Sequence, residues 1–105
     1  MFNVIFLVKR KPSMTQAEFA DYWIKKHTPL TASVPGVRSY VCYTTSGAPD
    51  GDPAYDGVAI LTFDDEAAYL QGIASQEFKT AIGDGPNFQN IELTTAIFAD
   101  KHAIV

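Results

Sequence analysis

Among 105 residues there is a single cysteine, Cys42, and only two histidines, His27 and His102. One cysteine excludes an intramolecular disulfide, and so few soft ligands leave no metal-binding signature. That usage fits a reducing, intracellular setting. Basic residues are scarce too: 8 Lys and Arg against 12 Asp and Glu give a formal charge of -4. This is the wrong sign for a phosphate-binding surface, so no nucleic-acid partner is expected. The one basic run, Lys9-Arg10-Lys11, reads as a solvated turn at a strand end. No apolar stretch is long enough to span a bilayer, and the opening "MFNVIFLVKRK" places its charges after its apolar run, the reverse of a secretory signal. A soluble, cytoplasmic protein without membrane contact is expected. Glycine-rich phosphate loops, Cys-x-x-Cys pairs and the aromatic signature of RNA-binding split-βαβ domains are all missing, and no cofactor or metal is expected.

What is there is globular: 47% of residues are hydrophobic and 19% charged, enough for one domain over 1–105 with a single core. Phe2 to Lys9 is β-branched and aromatic, and predicts a strand. Thr15 and Glu18 have capping-box spacing and predict a helix to His27, ended by Pro29, which lacks the N–H to continue it. A second strand is expected over Val37 to Thr45, a loop through "SGAPDGDPAY", and a third strand over Asp56 to Phe63. Asp64 or Asp65 caps a helix through "EAAYLQGIA", Ser75 caps another through "QEFKTAI" until "GDGP" breaks it, and Ile91 to Ala99 forms the last strand. The order β-α-β-β-α-β predicts an α+β, ferredoxin-like plan: a four-stranded antiparallel sheet with its helices on one face.

A sheet covered on one face should alternate apolar with polar, and this one does not. Val4, Phe6 and Val8 oppose Ile5 and Leu7; Ala59 and Leu61 oppose Val58 and Ile60; Ile91, Leu93 and Ile97 oppose Ala96 and Phe98. An open apolar face of that extent predicts a homodimer packed sheet on sheet.

"FLVKRKPSMTQAEFADYWIKKHTPL", followed by "PGVRSY", resembles the EthD family of the dimeric α+β barrel superfamily, with its Arg-Lys-Pro turn and F-x-x-Y-W-x-x-x-H-x-P helix. The likeness covers roughly the first 45 residues and is looser beyond. It implies a dimeric α+β barrel with a hydrophobic cavity between sheet and helices. Related branches include methylisomerases, polyketide cyclases, cofactor-free monooxygenases and haem-degrading enzymes. The resemblance implies a cofactor-independent enzyme of isomerase, cyclase, dehydratase or lyase type acting on a small hydrophobic compound. The alternative is a non-catalytic binding or auxiliary protein of an oxygenase system. For the haem-degrading branch His27 is the only plausible axial ligand.

The methylisomerase branch resembles this chain in placing a helix-end histidine before a Pro-Gly turn and a tyrosine on the second strand, positions held here by His27 and Tyr40. An imidazole both accepts and donates protons near neutrality, and a tyrosine hydroxyl can donate to a developing oxyanion. Lys25, Lys26 and His27 also make a cationic last turn that complements a helix dipole, so a pocket acid or base and a dipole partner both remain open for His27. Phe19 and Trp23, four apart, share a helix face, and His27 falls at the edge of that stripe. Together with Phe6, Val4 and Leu61 they are the expected pocket wall. Cyclase relatives carry a histidine near "SQEFKT"; Glu77 stands there instead, a base if buried and otherwise a first-turn helix acid. Cys42 reads as a small core residue, and His102 has no assigned role.

Overall fold

Period-two burial is clearest on the strand Gly57–Phe63, where Gly57, Ala59, Leu61 and Phe63 are buried and the residues between them are not. A computed structural model describes all residues 1–105. This strand, β3, pairs antiparallel with β1 (Phe2–Val8) on one side and β2 (Ser39–Thr44) on the other. The strand β4 (Thr95–Ala99) pairs antiparallel with β1, giving the sheet order β2-β3-β1-β4. That is the ferredoxin-like α+β arrangement.

Helices α1 (Gln16–Tyr22), α2 (Thr28–Ala32), α3 (Glu66–Ile73) and α4 (Gln76–Asp84) accompany the sheet. Three begin at caps that the sequence announces. Thr15 and Glu18 form a complete capping box on α1, Asp65 accepts from Ala68 N–H on α3, and Ser75 accepts from Phe78 N–H on α4. Asp64 is not a cap but takes the Arg38 guanidinium at 3.1 and 2.9 Å. In the Arg-Lys-Pro turn, the backbone N–H of Arg10 donates to Asp56 at 2.8 Å, and its guanidinium donates to the Met14 carbonyl. This ties the start of the first helix to the start of β3.

Two expectations need correction, besides the end of α4, which runs on through Gly83 to Asp84 where "GDGP" was expected to break it. The first helical run does not stop at His27. Residues Trp23–His27 form one π-helical turn and α2 continues through Pro29. In the π register the N–H of Thr28 donates five residues back to the Trp23 carbonyl. Pro29 would supply the next bond, to Ile24, and cannot; the Thr28 hydroxyl donates to the Ile24 carbonyl instead, at 2.6 Å. Pro29 also lies in the first turn of α2, where a missing N–H is cheapest. The second correction concerns the last strand, which starts at Thr95 rather than Ile91. The N–H groups of Leu93 and Thr94 both turn back to the Asn90 carbonyl, leaving Ile91 and Leu93 exposed in a turn.

On the helix side the core forms two clusters. Val8, Phe19, Trp23, Ala59 and Phe88 make one, and Val4, Val34, Leu61 and Phe63 the other. Phe6 and Tyr40 touch both and so sit at their seam. The opposite face carries apolar rows across the strands. Register aligns Val41 with Ile60, Ile60 with Ile5 and Ile5 with Ile97, and next to them Tyr43 with Val58 and Val58 with Leu7. Val41 and Ile97 are 42% and 49% exposed. No helix is long and apolar enough to cross a membrane.

Candidate functional site

At the seam between the two clusters lies a cavity of about 70 Å³, lined among others by Phe6, Trp23, His27, Thr31, Tyr40, Leu61, Phe88 and Gln89. By the measure that gives one water 10–15 Å³, it holds about five waters. As it stands, the space suits nothing larger than a single ring.

Each side chain reaches the cavity for a local reason. The π turn rotates successive residues by less than the ~100° of an α-helix. His27 therefore swings back toward the stripe of Phe19 and Trp23 and is only 9% exposed. Tyr40 lies on β2 directly opposite Leu61 of β3, and both face the helices. Gly57 is where Trp23 lies flat on the sheet: a Cβ there would meet the indole Cζ3 at 2.2 Å. Only glycine leaves room for the ring.

His27 is held from both sides. Its Nδ1 lies 2.9 Å from Asp84 Oδ2, its Nε2 lies 3.2 Å from the Thr31 hydroxyl, and its ring packs on Phe88 with centroids 4.6 Å apart. Asp84 is itself well supplied with donors. The Tyr22 hydroxyl and the Asn87 amide donate to its Oδ1 at 2.6 and 2.9 Å. Burial pushes the Asp84 carboxyl upward, but the hydrogen bonds from Tyr22, Asn87 and His27 and the attraction of the imidazole's charge outweigh it and hold the group below the usual carboxylate range. An ionised carboxylate can only accept, so Nδ1 carries a proton. Burial pushes the Tyr40 phenol well above its ordinary value and the neighbouring Cys42 adds to this, against the opposing effect of the Thr31 hydroxyl and the Trp23 indole N–H. Tyr40 is thus a donor at any ordinary pH. Burial raises the Cys42 thiol as well, against the smaller opposing effect of the Tyr40 hydroxyl, which makes it a poor nucleophile.

Of the residues singled out from sequence, His27, Tyr40, Trp23, Phe6 and Leu61 line this one cavity. Three others do not. Phe19 is fully buried in the first cluster, against Trp23 and Phe88, and Val4 is buried in the second. Glu77 is exposed in the first turn of α4, where a carboxylate faces the positive end of a helix. Sequence reasoning missed Asp84, Thr31, Phe88 and Gln89. Asp84 was hidden in "GDGP", which announces a helix end and nothing else; Thr31 fell beyond Pro29, where the helix was expected to have ended. Gln89 has its side-chain oxygen buried without a protein partner.

The sequence profile of the EthD domain matches residues 11–92. The chain belongs to the EthD domain family. A curated relative, an uncharacterized 11.0 kDa protein in the thcB-thcC intergenic region of Rhodococcus erythropolis, is 27% identical over 89 residues, covering 85% of each chain. Among solved structures, an EthD family protein of Bacillus halodurans superposes with a TM-score of 0.81 at 24% identity, over 97% of this chain and 100% of that one. A dimeric ferredoxin-like protein of unknown function from Thermobifida fusca gives 0.73 at 16%, over 93% and 88%. These structures support the fold of this EthD chain and carry no chemistry to it.

Proposed function

We propose that this EthD protein is a cofactor-independent enzyme that moves protons on a small hydrophobic compound, an isomerase-, cyclase-, dehydratase- or lyase-type reaction. His27 is the acid or base, Tyr40 the donor that orients the substrate or meets a developing oxyanion, and Trp23, Phe6 and Leu61 the apolar wall. The observation that carries this reading is the convergence of His27 and Tyr40 on one apolar cavity, with neither ring nitrogen of His27 bonded to a carbonyl of its own helix. The helix runs on past His27, which weakens the case for a dipole partner at a helix end.

The working unit in this proposal is a homodimer. The rows Val41–Ile60–Ile5–Ile97 and Tyr43–Val58–Leu7 leave an apolar face open on the isolated chain, and the Thermobifida fusca protein of similar fold is described as dimeric.

A second reading, a non-catalytic binder or oxygenase auxiliary, is favoured by one observation: both ring nitrogens of His27 already have protein partners, as those of a structural histidine do. One screen separates the two. Single-ring lactones, quinones and short polyketide aldehydes are tested for binding, by quenching of Trp23, the only tryptophan, and for conversion, with His27→Ala alongside. Conversion by the parent and none by the variant supports the enzyme. A variant that converts as fast as the parent removes His27 from its role, and binding without conversion throughout selects the binder.

A further inference from the structure

Behind His27 the structure holds a group that the acid–base reading does not need but that decides how it would run. Asp84 ends α4, and its two oxygens are used differently: Oδ1 takes both the Tyr22 hydroxyl and the Asn87 amide, while Oδ2 faces only His27 Nδ1. The carboxylate requires a donor at Nδ1, so a neutral imidazole keeps its lone pair on Nε2. The partner of Nε2 is the Thr31 hydroxyl, which must then donate to it. Every bond in the chain has one direction, toward Asp84.

We propose that Asp84 is a positioning residue that fixes His27 as the Nδ1–H tautomer, making Nε2 a proton acceptor, and that the cavity takes an uncharged ligand bearing an acidic hydroxyl or enolisable C–H. This rests on the acid–base reading of the same cavity. The ligand's class follows from charge. No Lys, Arg, Asp or Glu lines the cavity, and the Asp84 carboxylate stands behind the imidazole, 2.9 Å from its Nδ1. A carboxylate ligand would find no counter-charge there and would meet the field of Asp84, whereas a neutral proton donor meets the Nε2 lone pair, directly or through the Thr31 hydroxyl. In the step itself the ligand's proton passes to Nε2, directly or through the Thr31 hydroxyl, which hands on its own proton as it takes the ligand's. The products are an enolate or phenolate, which accepts a hydrogen bond from Tyr40, and an imidazolium facing the Asp84 carboxylate. Charge is conserved and no other reactant is consumed.

Nitrogen-15 NMR of the imidazoles, at alkaline pH where each ring carries one proton and with exposed His102 as reference, tests the tautomer. The parent and Thr31→Val should show a protonated Nδ1 and a bare Nε2 on His27. In Asp84→Asn the two donors on the first oxygen hold the amide carbonyl there, so the amide NH2 faces Nδ1 and the tautomer reverses. A parent with Nε2–H, or an Asp84→Asn variant with the tautomer unchanged, overturns the assignment. If Asp84→Asn does not fold, the parent and Thr31→Val spectra still decide it. The ligand class is tested with p-cresol, nitrobenzene and benzoate, read by Trp23 fluorescence. We expect p-cresol to bind at least about ten-fold tighter than benzoate, with nitrobenzene, the neutral shape-match of benzoate, between them. Benzoate binding as well as p-cresol overturns the class. None of these readouts needs turnover. Failure to convert any compound would remove the enzyme and leave the tautomer standing, and an Nε2–H parent would do the reverse.

Discussion

Asp84 and His27 stand 57 residues apart in sequence, and Oδ2 of one lies 2.9 Å from Nδ1 of the other. The pair joins the end of α4 to the π turn of the first helical run and fixes one wall of the cavity.

Its first consequence is acid sensitivity. The Asp84 carboxyl titrates below its ordinary value in the folded chain, so the folded state takes up that proton less readily than the unfolded one. Its stabilisation is complete above the unfolded carboxylate pKa of about 3.9 and is lost as pH falls through the folded value. At pH 7 Asp84→Asn should cost about 1–3 kcal/mol, since three donors lose a charged acceptor. Urea midpoints measured from pH 7 downward should show the gap between parent and variant closing in acid; a gap independent of pH would contradict this.

Tyr40→Phe keeps the ring against Leu61 and removes only the hydroxyl. For the first compound the protein converts, kcat should fall about 10²–10³-fold, the usual cost of an oxyanion donor, with little change in Tm. Because the phenol lies above its ordinary value, no activity should be lost by its ionisation below about pH 10. Steady-state kinetics against pH checks both points.

Gly57→Ala tests the packing under Trp23. The added methyl would meet the indole at 2.2 Å, and the ring, packed with Phe19 and Phe88, could shift only by moving into the cavity it lines. The expected loss is about 1–3 kcal/mol, a fall in Tm of at least roughly 4 °C for a domain of this size. A thermal melt with no shift would mean that Trp23 is freer than its burial implies.

The open sheet face gives the last prediction. Light scattering should return about twice the chain mass of 11.5 kDa, and the double variant Val41→Lys, Ile97→Lys should return the single mass with the fold retained. Both positions are half exposed in the isolated chain, so the fold itself tolerates the charges. A parent mass near 11.5 kDa at micromolar concentration removes the dimer.

Much of the fold is a local matter, legible from residues close together in the chain. Thr15 with Glu18, Asp65 and Ser75 are caps within one turn of the residues they serve, and strand alternation needs only neighbours. The β-α-β-β-α-β order, the sheet and its apolar second face all follow from patterns a few residues wide. His27 and Tyr40 stood out through a likeness in spacing, without the cavity at which they meet.

The rest depends on contacts between segments far apart in the chain. Pro29 reads locally as a helix stop, yet a π turn and the Thr28 hydroxyl absorb its missing N–H. That change of register is what turns His27 inward. Phe19 and Val4 are apolar at the right period, and no pattern distinguishes a core position from a cavity wall; only the packing of Phe88 and Leu61 around them does. Asp84 in "GDGP" has no signal at all as a partner for His27. Its meeting with His27 depends on α4 running on through Gly83 and docking against the first helical run, a relation between distant segments that exists only once both are packed.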